Sequence, residues 1–236
     1  MAHEDSTLTW KEFFRPNRLE LSVGLVMTVL TLVGLVWSRS DVKSFKHVYV
    51  VEDGPIEWLT VVFLLGVVVI TLRRFVRLRT VRPRLFLVCL LGFAAVFFFG
   101  AGEEISWGQR LLGFGTPEVI QQYNTQDEFT VHNLQFGEIR LNKLVFGLLL
   151  TIIVVAYVFV LPVLWRLWPP VRGLVDTFAV PVPRGFSAIV VALLAPVVDF
   201  MPSQNRWELL ELIVVSAVFL AVLRPLNRHI FESDPS

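Results

Sequence analysis

Acidic side chains recur in this sequence at the margins of long apolar runs, where little else is charged. Glu57 opens one run, Glu103 and Glu104 close the next, and Asp199, Glu208 and Glu211 flank the last two. Glu208 and Glu211 stand three residues apart, which puts both on one face of a helix. Two carboxylates that close repel, and one must be neutralised by a proton, an arginine or a metal ion. His132 adds an imidazole in the segment that follows Glu104. A histidine with several carboxylates suits zinc, iron or manganese by ligand type. The metal candidates are therefore Glu104, His132, Asp199, Glu208 and Glu211. Glu103, Glu104 and His132 are the candidate catalytic groups, with a glutamate as general base on a metal-bound water. Glu57, Ser106, Gln109, Arg110 and Asn133 are candidates for substrate contact or structural pairing. A divalent metal is the one cofactor these residue types suit.

The same residues support a plainer reading. Arg110, Arg140 and Arg206 fall on the same side of the chain and can pair with buried glutamates. Ser106 and Gln109 can hydrogen-bond the rest, and the whole then becomes a structural ion-pair network. The sequence has no HExxH, no CxxC and no Glu-x-x-His pair, and no G-x-S-x-G surrounds Ser106. Metal or proton site, ion-pair network and solvated faces all stay open at this level.

The elements that position these residues follow from composition. Of the 236 residues, 55% are hydrophobic and 17% charged, whereas a soluble domain has about 45–50% apolar and about 25% charged residues. That excess excludes a disordered chain and a coiled coil, and the net charge of +1 excludes a nucleic-acid-binding tail. Cys89 is the single cysteine, so no intrachain disulfide framework exists. A bilayer core takes about 20 apolar residues per helix. The fold class is accordingly all-α: a polytopic membrane bundle, one domain over 1–236, of six transmembrane helices near 20–38, 56–72, 85–103, 143–166, 185–201 and 207–223. The last two uncharged runs are short, and four spans with a re-entrant hairpin is the alternative. The first run is longer than a signal-peptide core and lacks an A-x-A site, so it reads as a retained anchor.

Cytoplasmic loops carry the excess of Lys and Arg. With both termini inside, the inner segments hold fourteen of the 21 basic residues, six of them between Arg73 and Arg84. Thirteen of the 20 acids then fall outside. Acids contribute little to the orientation rule, so this bias needs another cause. Ionisable groups at membrane depth usually face a bundle interior and mark function. Residues 104–142 form a long outer segment with Trp107, Phe114, Tyr123, Phe129 and Phe136, which reads as a cap over the outer face. Within it, Thr116 with Pro117 predicts a capped helix start.

The strings Glu52-Asp53-Gly54-Pro55-Ile56-Glu57-Trp58 and Gly102-Glu103-Glu104-Ile105-Ser106-Trp107-Gly108-Gln109-Arg110, with Asn124-x-Gln126 and His132-Asn133 further on, resemble a group of uncharacterised bacterial polytopic membrane proteins. The resemblance covers the second and third spans and the outer segment. It implies a multi-pass protein of the bacterial inner (cytoplasmic) membrane and supplies no activity. Alkaline-ceramidase-like membrane hydrolases are similar only in having acids, a serine and a histidine at one interface. Their late histidine pair is missing, so no residue role carries over. Two function classes follow: a metal-dependent membrane enzyme acting on a lipid or lipid-linked substrate, or a non-catalytic accessory subunit of a larger membrane complex. The partners are membrane lipids and, in the second case, other membrane-protein subunits, with no nucleic acid. A transporter would show an inverted repeat or spans broken at the midplane, and neither is visible.

Overall fold

The computed structural model describes residues 10–124, 129–131, 134–136, 139–140 and 148–233. Among these the chain is helical, apart from a two-residue antiparallel ladder of β1 (Gln135–Phe136) on β2 (Ile139–Arg140). Eight helices carry the architecture: α1 (Trp10–Phe14), α2 (Arg18–Ser40), α3 (Pro55–Leu78), α4 (Arg84–Glu104), α5 (Leu150–Leu167), α6 (Pro169–Thr177), α7 (Gly185–Asp199) and α8 (Trp207–Leu223). Four of them, α2, α3, α4 and α5, are long and apolar enough to cross a membrane. With 15 and 17 residues, α7 and α8 are shorter.

Local chemistry sets where the helices begin. Asn17 caps α2: its Oδ1 accepts from the Leu19 and Glu20 N–H groups at 2.9 and 3.1 Å, and Glu20 Oε2 accepts from the Asn17 N–H at 2.8 Å. This reciprocal box satisfies donors that a helix start otherwise leaves open. Pro55 occupies the first turn of α3, where its missing N–H costs nothing. Gly54, before it, is held at the turn because a Cβ there would lie 2.5 Å from the Val51 carbonyl oxygen.

Two boundaries differ from the sequence expectation. The third element, α3, does not stop at 72 but runs to Leu78, so Arg73, Arg74 and Arg77 sit on the helix and not in a loop. Arginine is a good helix former, and its long apolar stem lets the charge reach past the hydrocarbon edge. The proline-marked stretch after α5 is likewise helical: Pro169 and Pro170 open α6, where first-turn prolines are tolerated.

Packing joins the helices in an up-and-down bundle. The main core lies where α2, α3, α7 and α8 meet, with Met27, Ile56, Val191, Leu194, Leu209, Leu212 and Ile213 at its centre and Val158 of α5 against it. Two contacts fix the height of α7 relative to α2. Arg184 Nε, just before α7, lies 3.2 Å from Glu20 Oε1 near the start of α2. At the other end, Arg39 donates from Nε and Nη2 to the Phe200 carbonyl at 3.1 and 2.9 Å. Thus α7 reaches from one end of α2 to the other, and α8 returns. A smaller cluster of Leu78, Phe86, Leu90, Ala179, Ile230 and Phe231 closes the end of the bundle where α3 turns into α4.

Candidate functional site

The end of the bundle that holds the α3 N-terminus also holds the α4 C-terminus and the α8 N-terminus. Each brings one or two glutamates. Beneath them lies a compact apolar floor: Val61 and Leu64 of α3, Ala101 and Phe97 of α4, Val215 of α8, and Ile105. Val61 stands one turn below Glu57, Ala101 one turn below Glu104, and Val215 one turn below Glu211. Packing these side chains against each other rotates the three helices so that residues one turn nearer the rim face a common space.

There one carboxylate oxygen from each of Glu104, Glu208 and Glu211 lies within 4.8 Å of the others. Glu104 and Glu208 are partly buried, while Glu211 is exposed, so the group opens on one side. Glu57 lies within electrostatic range of Glu104 and Glu208 and is only 5% exposed. Its Oε2 accepts from the Asp53 N–H at 2.8 Å, whereas its buried Oε1 has no partner among the described residues. Asp53 has a left-handed backbone (φ +56°) to present that N–H.

No described arginine or lysine forms an ion pair with Glu104, Glu208 or Glu211. Arg110 is engaged elsewhere, at 2.7 Å from Asp53 Oδ2 and 3.1 Å from Glu52 Oε2. Arg206 faces Asp199 at 3.9 Å and donates to the Ser203 carbonyl at 2.9 Å. The Arg140 side chain lies outside the description. Three carboxylates this close cannot all stay charged unless a proton or a cation sits among them. Of the arginines expected as partners, Arg110 and Arg206 do not supply it.

Asp199, a metal candidate from the sequence, does not join the group; its exposed carboxylate faces Arg206. It ends α7, while the cluster is built on α3, α4 and α8. Glu103 is also elsewhere. As the neighbour of Glu104 it points about 100° away around the helix. Its buried carboxylate accepts from Trp107 Nε1 at 2.8 Å and from the Val131 N–H at 2.7 Å. It therefore fastens the outer segment, where the sequence reading had made it catalytic. Gln109 does similar work: its Nε2 donates to Thr116 Oγ1 at 3.0 Å, and its Oε1 accepts from the Phe129 N–H at 2.6 Å. Thr116 accepts from Gln109, and the short helix Glu118–Gln121 begins from Pro117, whose carbonyl accepts from Ile120 and Gln121. Ser106 is buried, first of three consecutive left-handed residues, Ser106, Trp107 and Gly108, that turn the chain sharply after α4. His132 and Asn133 lie outside the described residues.

The group brought together is Glu57, Glu104, Glu208 and Glu211. Sequence reasoning placed the last three among ligands but set Glu57 apart as a pairing residue. The contact of Val61, one turn away, with α4 and α8 turns Glu57 toward the others, and that contact is a property of packing. Glu104, Glu208 and Glu211 offer oxygen donors only, a hard set suited to Mn2+, Mg2+ or Ca2+. Compared with protein-family models, curated proteins and solved structures, the chain matches none of them.

Proposed function

We propose that this chain is a six-span membrane protein of the bacterial inner membrane, with both termini cytoplasmic and a divalent-cation site at its extracytoplasmic mouth. It would act there as a metal-dependent enzyme on a lipid or lipid-linked substrate, with residues 104–142 folded over the mouth. The observation that carries the reading is the approach of Glu104, Glu208 and Glu211 to within 4.8 Å without a basic partner among the described residues. Six spans are supported by α7, which covers the height of α2 although it is short. The surplus of arginine at the opposite end supports the orientation.

A bound divalent ion would supply Lewis acidity and a water acidified toward neutrality. The residues would divide the remaining work. Glu104, Glu208 and Glu211 hold the cation. Glu57, with one oxygen fixed by the Asp53 N–H and the other unpartnered, is placed to accept a proton. The exposed side at Glu211 leaves an approach from the rim.

Titration of the purified full chain in mild detergent with Mn2+, followed by calorimetry, tests the reading. Saturable binding is expected, weakened at least about tenfold by Glu104→Gln or Glu208→Gln and unchanged by Glu103→Gln; loss even of a group that only supports a metal ligand typically costs about 10–100-fold in affinity. Absence of saturable binding at millimolar Mn2+, or equal binding by all variants, would overturn it. One observation favours the accessory-subunit reading: α5 is the least buried of the four long apolar helices, which leaves its flank open to another subunit. A fixed partner that co-purifies with wild type would support it.

A further inference from the structure

The opposite end of the bundle concentrates arginines, and several of them meet no carboxylate among the described residues. Arg74 of α3 is only 9% exposed, and its guanidinium lies 4.0 Å over the Phe231 ring. It has no hydrogen bond and no carboxylate partner among the described residues. Arg77, one turn nearer the end of α3, donates from Nη2 to the Phe231 carbonyl. Arg82, in the turn before α4, donates from Nη2 to the His229 and Glu232 carbonyls at 3.0 and 3.3 Å, and its buried Nε has no partner. Three guanidinium groups therefore surround the short helix Arg228–Phe231 and, among the described residues, hydrogen-bond to carbonyls or lie over a ring face.

The nearby acids among the described residues are committed. Glu232 Oε1 lies 2.8 Å from Arg228 Nε, and Asp176 faces His229 at 3.6 Å and Asn227 at 3.0 Å. Carbonyl oxygens offset part of a cationic charge, not a whole one. A buried arginine without a carboxylate partner among the described residues is costly, and an anion at this end would offset that cost.

We infer that Arg74 and Arg82 form a binding site for the phosphate of an anionic phospholipid headgroup. The guanidinium fork matches phosphate oxygens in a planar, two-point geometry. Basic pockets between helices on the cytoplasmic side are suited to such headgroups. Exposed Val81 and Leu85 stand beside Arg82 in the turn and at the start of α4. That apolar border fits acyl chains beside the headgroup and favours a lipid over free phosphate. The inference is independent of the glutamate site.

The test uses the delipidated full chain in neutral detergent. Dioleoyl phosphatidylglycerol, dioleoyl phosphatidylcholine and inorganic phosphate are added separately, and bound adducts are read by native mass spectrometry. Phosphatidylglycerol is expected to bind at least tenfold more tightly than phosphatidylcholine and to raise the Tm. Arg82→Gln should abolish that preference, and Arg74→Gln should do the same where it folds; Arg79→Gln, an exposed arginine outside the group, should not. Equal binding of the two lipids, or a preference that survives Arg82→Gln, would overturn the assignment. So would phosphate that binds alone and displaces the phosphatidylglycerol, since the site would then take a free anion. A preference that is absent in wild type and emerges in Asp234→Asn would overturn it too, by showing that the chain fills its own site.

Discussion

At the residue scale, the difference between Glu103 and Glu104 shows how one step along a helix changes a role. The two are adjacent and chemically identical. Glu104 faces the space shared with α8, and Glu103 faces the turn that follows α4. That turn is tight enough for the Trp107 indole to fold back on Gly102. A Cβ at Gly102 would lie 2.8 Å from the indole ring, a rigid aromatic system that cannot yield as a flexible side chain would. Gly102→Ala should therefore displace Trp107 and break its hydrogen bond to Glu103. We expect a loss of about 1–3 kcal/mol, the range for overpacking a filled site. The Tm of the variant in detergent, compared with that of Gly92→Ala, checks this, because a Cβ at Gly92 meets nothing within 4 Å. Equal Tm values for the two would contradict the packing argument.

At the element scale, α6 and the segment after α8 are joined through Asp176. Burial raises the pKa of its carboxyl, but hydrogen bonds from His229, Asn227 and Trp165 and the nearby imidazole outweigh burial, and the net shift is downward. A carboxyl with a lowered folded pKa adds stability above its unfolded value and loses it as pH falls through the folded one. The contribution of Asp176 should therefore be full above about pH 4, the ordinary aspartate value, and vanish below it. Asp176→Asn should lower the Tm at pH 6, and the two proteins should converge below pH 4. A Tm difference that stays constant across this range would show that the carboxylate charge is not what joins these elements. The existence of α2, α3, α4 and α5 was legible in the chain, since each is an apolar run long enough to cross a bilayer. The extension of α3 through Arg73, Arg74 and Arg77 was not. A loop and a snorkelling helix end have the same composition, and Phe231, which receives Arg74 and Arg77, is remote in sequence.

At the scale of the whole molecule, the six-span reading predicts which ends share a side. Lys43 and Gln204 belong to the end with the glutamates, and Thr80 to the end with the arginines. Cys89 is the single cysteine, so a Cys89→Ala background permits thiol mapping. In intact cells, cysteine at 43 or 204 should react with an impermeant maleimide, and cysteine at 80 only after permeabilisation. Reaction of 204 and 80 from the same side would reduce α7 and α8 to a re-entrant hairpin.

The sequence by itself determined the class of the protein, its four longest apolar helices and the crowding of acids toward one end, because hydropathy and charge order are carried along the chain. Tertiary structure decided which acids meet. Glu57, Glu104, Glu208 and Glu211 converge because Val61, Leu64, Ala101 and Val215 lock the rotation of three helices against each other, while Asp199 and Glu103 are turned to other partners. Rotation about a helix axis is a property of packing between elements, and nothing in the order of residues along one helix specifies it.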